Sequence, residues 1–236
     1  MSEPNALSQA LALFSPIHKD GYKFVAIAAA ATVIAFLLSS TLGLLFAIAT
    51  AALIFFFRDP ERMVPLRDGL VVAPADGTII SVGNAVPQPE LGLGSDPKTR
   101  VSIFLSLFDV HVIRTPVSGR IETSVYRPGQ YLNAASPQAP ALNECHGFVI
   151  ETKDALHIGA VLVAGTVARR IVTGVGEGDS ITAGQRIGII RFGSRVDIYL
   201  PPSISVLAGE GQRMIAGETI IADLDSQEPR RIFRRI

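Results

Sequence analysis

The sequence predicts a mainly β domain, a barrel-like sandwich of short strands, preceded by an N-terminal helical hairpin that associates with a membrane. Three observations predict it. From Leu70 onward, short runs of Val, Ile and Thr are punctuated by Gly and Pro, the texture of many strands joined by tight turns. Gly-marked motifs recur within that same region. Before it, Phe24–Phe57 contains no charged residue at all.

Hydrophobic residues make up 48% of the chain and charged residues 18%, which leans away from disorder. Lys+Arg and Asp+Glu both number 21, so no global charge field argues for nucleic acid. The sole cysteine, Cys145, excludes an internal disulfide framework and is expected to be a small buried or half-buried thiol.

Met1–Gly21 is mixed and polar, without the pattern of a signal peptide at the very start. Phe24–Phe57 as one straight helix would run about 51 Å, against a hydrocarbon core of about 30 Å. It divides more naturally at Ser39-Ser40-Thr41, into Phe24–Leu38 and Leu42–Phe57. Each half is slightly short for a full span, so a hairpin and a single tilted span are both open. Lys19 and Lys23 before the block, and Arg58, Arg62 and Arg67 after it, favour a hairpin with both ends cytoplasmic.

Pro60 and Pro65 end helical structure. Strands are then expected at Leu70–Ala73, Thr78–Val82, Val101–Leu105, His111–Thr115, Gly119–Val125, Phe148–Thr152, Ile158–Ala164, Thr166–Val172 and Arg186–Ile190. No long amphipathic helix is expected after Phe57. Pro87–Lys98 reads as a loop, and Arg127–Glu144 as a loop long enough to be functional. Val175-Gly-Glu-Gly-x4-Ala183-Gly-Gln-x-Ile187 is echoed by Ala208-Gly-Glu-Gly-x4-Ala216-Gly-Glu-x-Ile220. A second echo joins the motifs at Pro74–Ile79, Pro116–Ile121 and Val163–Val167. This pattern resembles the barrel-sandwich folds of lipoyl and biotinyl domains and of sugar-phosphotransferase IIA domains, whose tight turns need Gly at positive φ.

The most informative stretch is Ile189–Pro201: a strand, a break at Gly193-Ser194, and a second strand, with Ile189, Ile190, Phe192, Val196, Ile198 and Leu200 as its apolar residues. One reading is a glycine bulge with an exposed serine. The other is self-processing. The Ser194 hydroxyl attacks the carbonyl of Gly193, a residue that tolerates the strained backbone this requires. Ester formation and β-elimination would then leave Ser194 as an N-terminal pyruvoyl group, a ketone able to form a Schiff base with a substrate amine.

The chain here resembles the phosphatidylserine decarboxylases, in particular their short bacterial and archaeal form. The resemblance rests on PADGTI (Pro74–Ile79), FLSLFDVHVIRTPVSG (Phe104–Gly119), ALNE (Ala141–Glu144), GVGEGD with AGQRIGIIRFGSRVDIYLP, and LAGEGQRMIAGETIIA, in that order. It implies a proenzyme cut between Gly193 and Ser194 into a β chain (1–193) and an α chain (194–236) that carries the pyruvoyl cofactor. It also implies phosphatidylserine as the substrate, phosphatidylethanolamine and CO2 as products, and an inner-membrane location with the catalytic domain, 58–236, on the cytoplasmic side. Asp76 matches the family's Asp in the PADG block. Longer members read D-Y-H-R-V-H-M-P where this chain has Asp109-Val110-His111-Val112-Ile113-Arg114-Thr115-Pro116, so His111 matches the first family His and Arg114 replaces the second.

Arg114 stays protonated and is no ordinary base. Either His111 takes the base role or Asp76 works more directly, and Arg114 becomes a candidate contact for the substrate phosphate or carboxylate. Strand alternation puts His111 and Arg114 on opposite faces unless a bulge intervenes. His18, His146 and His157 are read as structural or surface residues, and no metal is expected. Two rivals stay open: a membrane-anchored adaptor or carrier sandwich, and a pyruvoyl enzyme of a soluble amino acid. A carrier needs a Lys at a hairpin tip, which the Gly193-Ser194 region and the repeat turns lack. The sequence leaves a homo-oligomer open.

Overall fold

A computed structural model describes residues 15–166, 170–191, 193–226, 228, 231 and 233. Phe192 and residues 167–169 of the strand expected at Thr166–Val172 lie outside the described residues. The chain divides into two compact units, one ending at Glu61 and the other beginning at Arg62.

In the first unit, helix α1 (Tyr22–Leu38) and helix α2 (Ser40–Phe56) are separated by Ser39, whose φ of −164° and ψ of 135° break the helical run. The two helices are antiparallel. Thr32 Oγ1 lies 2.9 Å from Thr50 Oγ1, Phe24 stacks on Phe57 at 5.6 Å, and His18 N donates to Phe57 O at 2.8 Å. Most of their surface is apolar and exposed, Leu37 by 82% and Leu38 by 75%. The Lys19–Leu38 segment is long and apolar enough to cross a membrane, whereas Ser40–Phe56 is shorter.

The second unit is β. One eight-stranded sheet runs β12 (Arg213–Met214), β2 (Gly77–Ala85), β3 (Lys98–Leu105), β11 (Ser194–Leu200), β7 (His157–Ala164), β6 (Cys145–Glu151), β5 (Gly119–Arg127) and β9 (Ser180–Ile181). A three-stranded sheet holds β4 (Val112–Arg114), β10 (Arg186–Arg191) and β8 (Arg170–Thr173), and a two-stranded one pairs β1 (Leu70–Val72) with β13 (Ile220–Asp223). All three sheets contribute to one core, for example Val71, Ile103, Ile113, Ile150, Ile190 and Ile198. This is the expected barrel-sandwich. A smaller apolar cluster, with Leu91, Val161, Val163 and Tyr199, covers the other face of the large sheet.

The sequence echoes are structural repeats. The half β12-β2-β3-β11 is matched by β9-β5-β6-β7, and the pair β13-β1 by β10-β4. Gly211 N donates to Ile79 O, and its counterpart Gly178 N to Ile121 O, both at 2.8 Å. Register shifts fall at Ile79/Ser81 and at Ile121/Thr123. Gly178 and Gly211 do have positive φ, at 91° and 84°. Gly119 is needed for a different reason: a Cβ there would overlap the Glu151 carbonyl, as one on Gly77 would overlap that of Phe104.

Three short strands were not expected: Ser180–Ile181, Arg213–Met214 and Ile220–Asp223. The first two have two residues each and exist only through their partners' register. Between Arg127 and Glu144 one helical turn, α3 (Ala139–Leu142), interrupts the expected loop. Gly119→Ala is expected to cost about 1–3 kcal/mol through overpacking against backbone. Gly83→Ala, with nothing within 4 Å of a new Cβ, should leave stability unchanged or slightly raised. Urea midpoints of the two variants check the contrast.

Candidate active site

Ser194 opens β11, the strand bonded to β3 on one side and β7 on the other, with Leu105 and Ala164 as its register partners. Alternation sends Val196, Ile198 and Leu200 into the main core, and Tyr199 to the opposite face. Ser194 falls on the core side. It is fully buried, and its Oγ has no hydrogen-bond partner among the described residues. The exposed serine of the bulge reading is therefore not what the structure contains. A buried hydroxyl left without a partner costs stability.

Gly193 has φ of 61°, a left-handed conformation that favours glycine. Its N–H donates to His111 Nε2 at 3.1 Å. The His111 ring is fully buried, and its Nδ1 lies 2.9 Å from the Asp109 carbonyl oxygen. A carbonyl only accepts, so Nδ1 carries the proton and Nε2 presents its lone pair to the Gly193-Ser194 junction. On the far side, a Cβ on Gly165 would overlap the Gly193 carbonyl oxygen. Gly165 thus lets that carbonyl reach the end of β7.

Asp109 fixes the turn that carries His111. Its Oδ2 accepts from Ser106 N and Ser106 Oγ, each at 2.7 Å, and its Oδ1 accepts from Arg213 at 2.6 Å. Burial pushes the Asp109 carboxyl up, but the Ser106 and Arg213 hydrogen bonds outweigh it and hold the group below its ordinary value.

Asp76 lies two strands from β11, at the start of β2. Its carboxylate accepts from Arg62 at 2.8 and 3.0 Å and from Ala216 N at 2.8 Å. None of these bonds goes to Ser194 or His111. Arg114 is 5% exposed and gives its Nη1 to the Gly184 carbonyl at 2.8 Å. A bulge does fall in the β10–β4 pairing, yet Arg114 remains on the Gly184 side and does not line the pocket beside Gly193. The structure thus brings Ser194, Gly193 and His111 together, and holds Asp76 and Arg114 in separate polar contacts.

A pocket of ≈ 190 Å³ opens beside Gly193, lined also by Leu105, Leu107, Asn133, Ala134 and Thr166. Asn133 and Ala134 come from the loop expected to be functional. Asn143 pins that loop: its side chain bonds Leu132 N, Leu132 O and the Ala164 carbonyl at 2.7–2.9 Å. Glu144 accepts from Tyr131 Oη and from Ile171 N. Gly165, Asn143 and the Asp109 carbonyl are contributors that the sequence reading missed. The VAG echo around Gly165 and the ALNE block around Asn143 are the local signals that bore on them.

The remaining histidines lie elsewhere. His146 stacks on Phe148 and meets Ser124 Oγ at 3.0 Å, with burial lowering its pKa. His157 pairs with Glu122, and His18 with Asp20. Cys145 is buried, and burial pushes its thiol up.

The site defines a class: a β-sandwich protein whose candidate serine belongs to a central strand of its own sheet rather than to the floor of an open cleft. The family model for phosphatidylserine decarboxylase matches residues 49–222. Proteins named phosphatidylserine decarboxylase proenzyme are similar over nearly their full length. The protein from Xanthobacter autotrophicus is 51% identical, over 94% of this chain and 94% of its own. That from Beijerinckia indica subsp. indica is 49% identical, over 93% and 94%, and that from Cereibacter sphaeroides 46%, over 96% and 97%. This chain belongs to the phosphatidylserine decarboxylase family.

The depressed Asp109 pKa contributes stability that is full above about pH 4, the unfolded value, and is lost as pH falls through the lower folded value. Asp109→Asn should therefore be less stable than wild type at pH 7, and the gap should narrow below pH 4. Urea midpoints of the full chain in detergent measure this; a gap constant with pH would contradict it.

Proposed function

We propose that this chain is a proenzyme that cuts itself between Gly193 and Ser194 and then decarboxylates phosphatidylserine to phosphatidylethanolamine and CO2. The observation that carries the reading is the unpartnered, buried Ser194 hydroxyl directly after a left-handed glycine whose N–H meets His111. The names of the relatives supply the substrate.

The cut follows from the chain's own groups. Ser194 Oγ adds to the Gly193 carbonyl carbon, the C–N bond breaks, and the freed nitrogen takes a proton; an ester replaces the amide. Nε2 of His111 is the base, since its proton is held on the far nitrogen by the Asp109 carbonyl. Removal of the Ser194 Cα proton expels the Gly193 carboxylate. Water then releases the nitrogen as ammonia, leaving an N-terminal pyruvoyl ketone on the 194–236 chain. Of the two candidate bases, the contacts favour His111, which already meets the junction at Gly193 N and needs only to exchange that N–H for the Ser194 hydroxyl, whereas the Asp76 contacts are with Arg62 and Ala216. Asp76 is then a positioning residue for the start of β2. The burial of Arg114 and its bond to Gly184 support a structural role over an anion contact.

A pyruvoyl group suits residue 194. The space is buried, borders the pocket, and offers the present hydroxyl no partner that a ketone would forfeit. Once formed, the ketone supplies the electron sink for loss of CO2 from an amine-bearing carboxylate. Leu105, Leu107 and Ala134 give the pocket an apolar wall, and Asn133 and Thr166 give it polar groups for the headgroup.

The two chains stay together after the cut. Strands β11, β12 and β13 follow residue 193, yet pair with β3, β7, β2 and β1, which precede it. Buried Val196, Ile198 and Leu200 each stabilise that docking by about 1.5–3 kcal/mol. The apolar helix pair supports attachment to the membrane in which the substrate resides, with the second unit on the cytoplasmic side as the flanking Lys and Arg residues favour.

Ser194→Ala is expected to remain one chain and to release no CO2 from phosphatidylserine; release at the wild-type rate contradicts the reading. His111→Ala should slow the cut by about 10²–10⁴-fold. If it cuts normally while Asp76→Asn does not, the base is Asp76. Gly165→Ala should displace the Gly193 carbonyl and stop ester formation, so that hydroxylamine, which cleaves the wild-type ester, leaves this variant intact.

A further inference from the structure

The turn from Ser106 to Asp109, just before β4, carries two large apolar side chains that are exposed. Leu107 is 49% exposed and Phe108 77%. The turn is built rather than loose. Asp109 N donates to Ser106 O at 3.0 Å, and the Asp109 carboxylate accepts from Ser106 N, Ser106 Oγ and Arg213. A carboxylate bonded at three points thus holds Leu107 and Phe108 facing solvent. Single exposed apolar residues are ordinary. These two are adjacent, at a rigid tip, beside the candidate site: Leu107 lines the pocket at Gly193, and the Asp109 carbonyl holds His111.

We propose that the Leu107–Phe108 tip dips into the bilayer interface and sets the Gly193-Ser194 pocket at the depth of the phospholipid headgroup. This rests on the phosphatidylserine reading above. The occupant is a lipid surface because the apolar wall of the pocket reaches the exposed tip. Leu105, Ala134 and Leu107 line the pocket, Leu107 is itself 49% exposed, and the exposed Phe108 follows it in the chain. The substrate of that reading brings acyl chains to the same opening. The chain elsewhere also carries an apolar helix pair with exposed Leu37 and Leu38, whose Lys19–Leu38 segment is long and apolar enough to cross a membrane.

Two measurements on the full chain test the proposal. The protein has no tryptophan, so Phe108→Trp introduces a single fluorescent reporter. Reconstituted in vesicles, its emission should shift to the blue and be quenched by phospholipids brominated on their acyl chains. An unquenched, water-like emission overturns the proposal, as does a blue shift that bromolipid leaves unquenched, which marks contact with a second copy or another part of the chain. In the second measurement, Phe108→Ser should be cut at 193/194 like wild type. It should raise the apparent KM for phosphatidylserine in vesicles about tenfold or more. Its activity on dihexanoyl-phosphatidylserine dissolved as monomers should stay within about twofold. No change on vesicles, or an equal loss on both substrates, overturns the tip's role. Wild type that releases CO2 from neither substrate overturns the underlying reading and this one with it.

Discussion

Residue 194 is the first position of a strand bonded on both edges, and the residue before it is held left-handed. These two facts constrain everything else around the junction. A central strand cannot shift to accommodate its first residue, because β3 and β7 fix it through seven and six register pairs respectively. Whatever strain the turn carries therefore stays at Gly193. The left-handed φ, the nearby Gly165 and the His111 contact all act on that one residue, His111 at its N–H and Gly165 beside the carbonyl that it shares with the bond to Ser194. The sheet is the rigid frame, and the junction is where its geometry is spent.

Two sets of polar groups flank the candidate site, with different reach. Asp109, Ser106 and Arg213 fix the turn whose carbonyl sets the His111 tautomer, and so act on the junction through backbone. Asp76, Arg62 and Ala216 form a second set around the start of β2, and Arg114 joins the adjacent Gly184 and Gly217 turns. Substitution of a second family histidine by Arg114 is then easier to accommodate: a guanidinium buried against the Gly184 carbonyl is satisfied where a neutral base would have no proton to take. The one imidazole that meets the junction is His111.

Much of the fold was legible from residue types, and the reasons are physical. The charge-free block from Phe24 to Phe57 reads as a long apolar helical run, and Ser39 marks its break. Gly-punctuated Val and Ile runs marked most of the strands, and the repeats pointed to the barrel-sandwich, whose duplicated sheet they turn out to mark. Ser180–Ile181 and Arg213–Met214 were illegible because two residues show no alternation; their partners create them. Within the candidate site, Ser194 and His111 stood out by side chains that can carry chemistry, and Gly193 by being a glycine inside an apolar strand-like run. Gly165 could not, since its role depends on a carbonyl far along the chain. Nor could the Asp109 carbonyl, a backbone group that any residue would supply. Arg62 read as a flanking charge, because nothing local ties it to Asp76.

The central claim is that this polypeptide severs itself at one bond and converts the residue after it. The intact mass of the purified wild-type protein tests it most directly. The account predicts two chains, the smaller beginning at position 194 with the mass of a pyruvoyl group in place of serine and resistant to Edman sequencing. A single uncut chain after prolonged incubation, or a 194–236 fragment that retains an ordinary N-terminal serine, would contradict it.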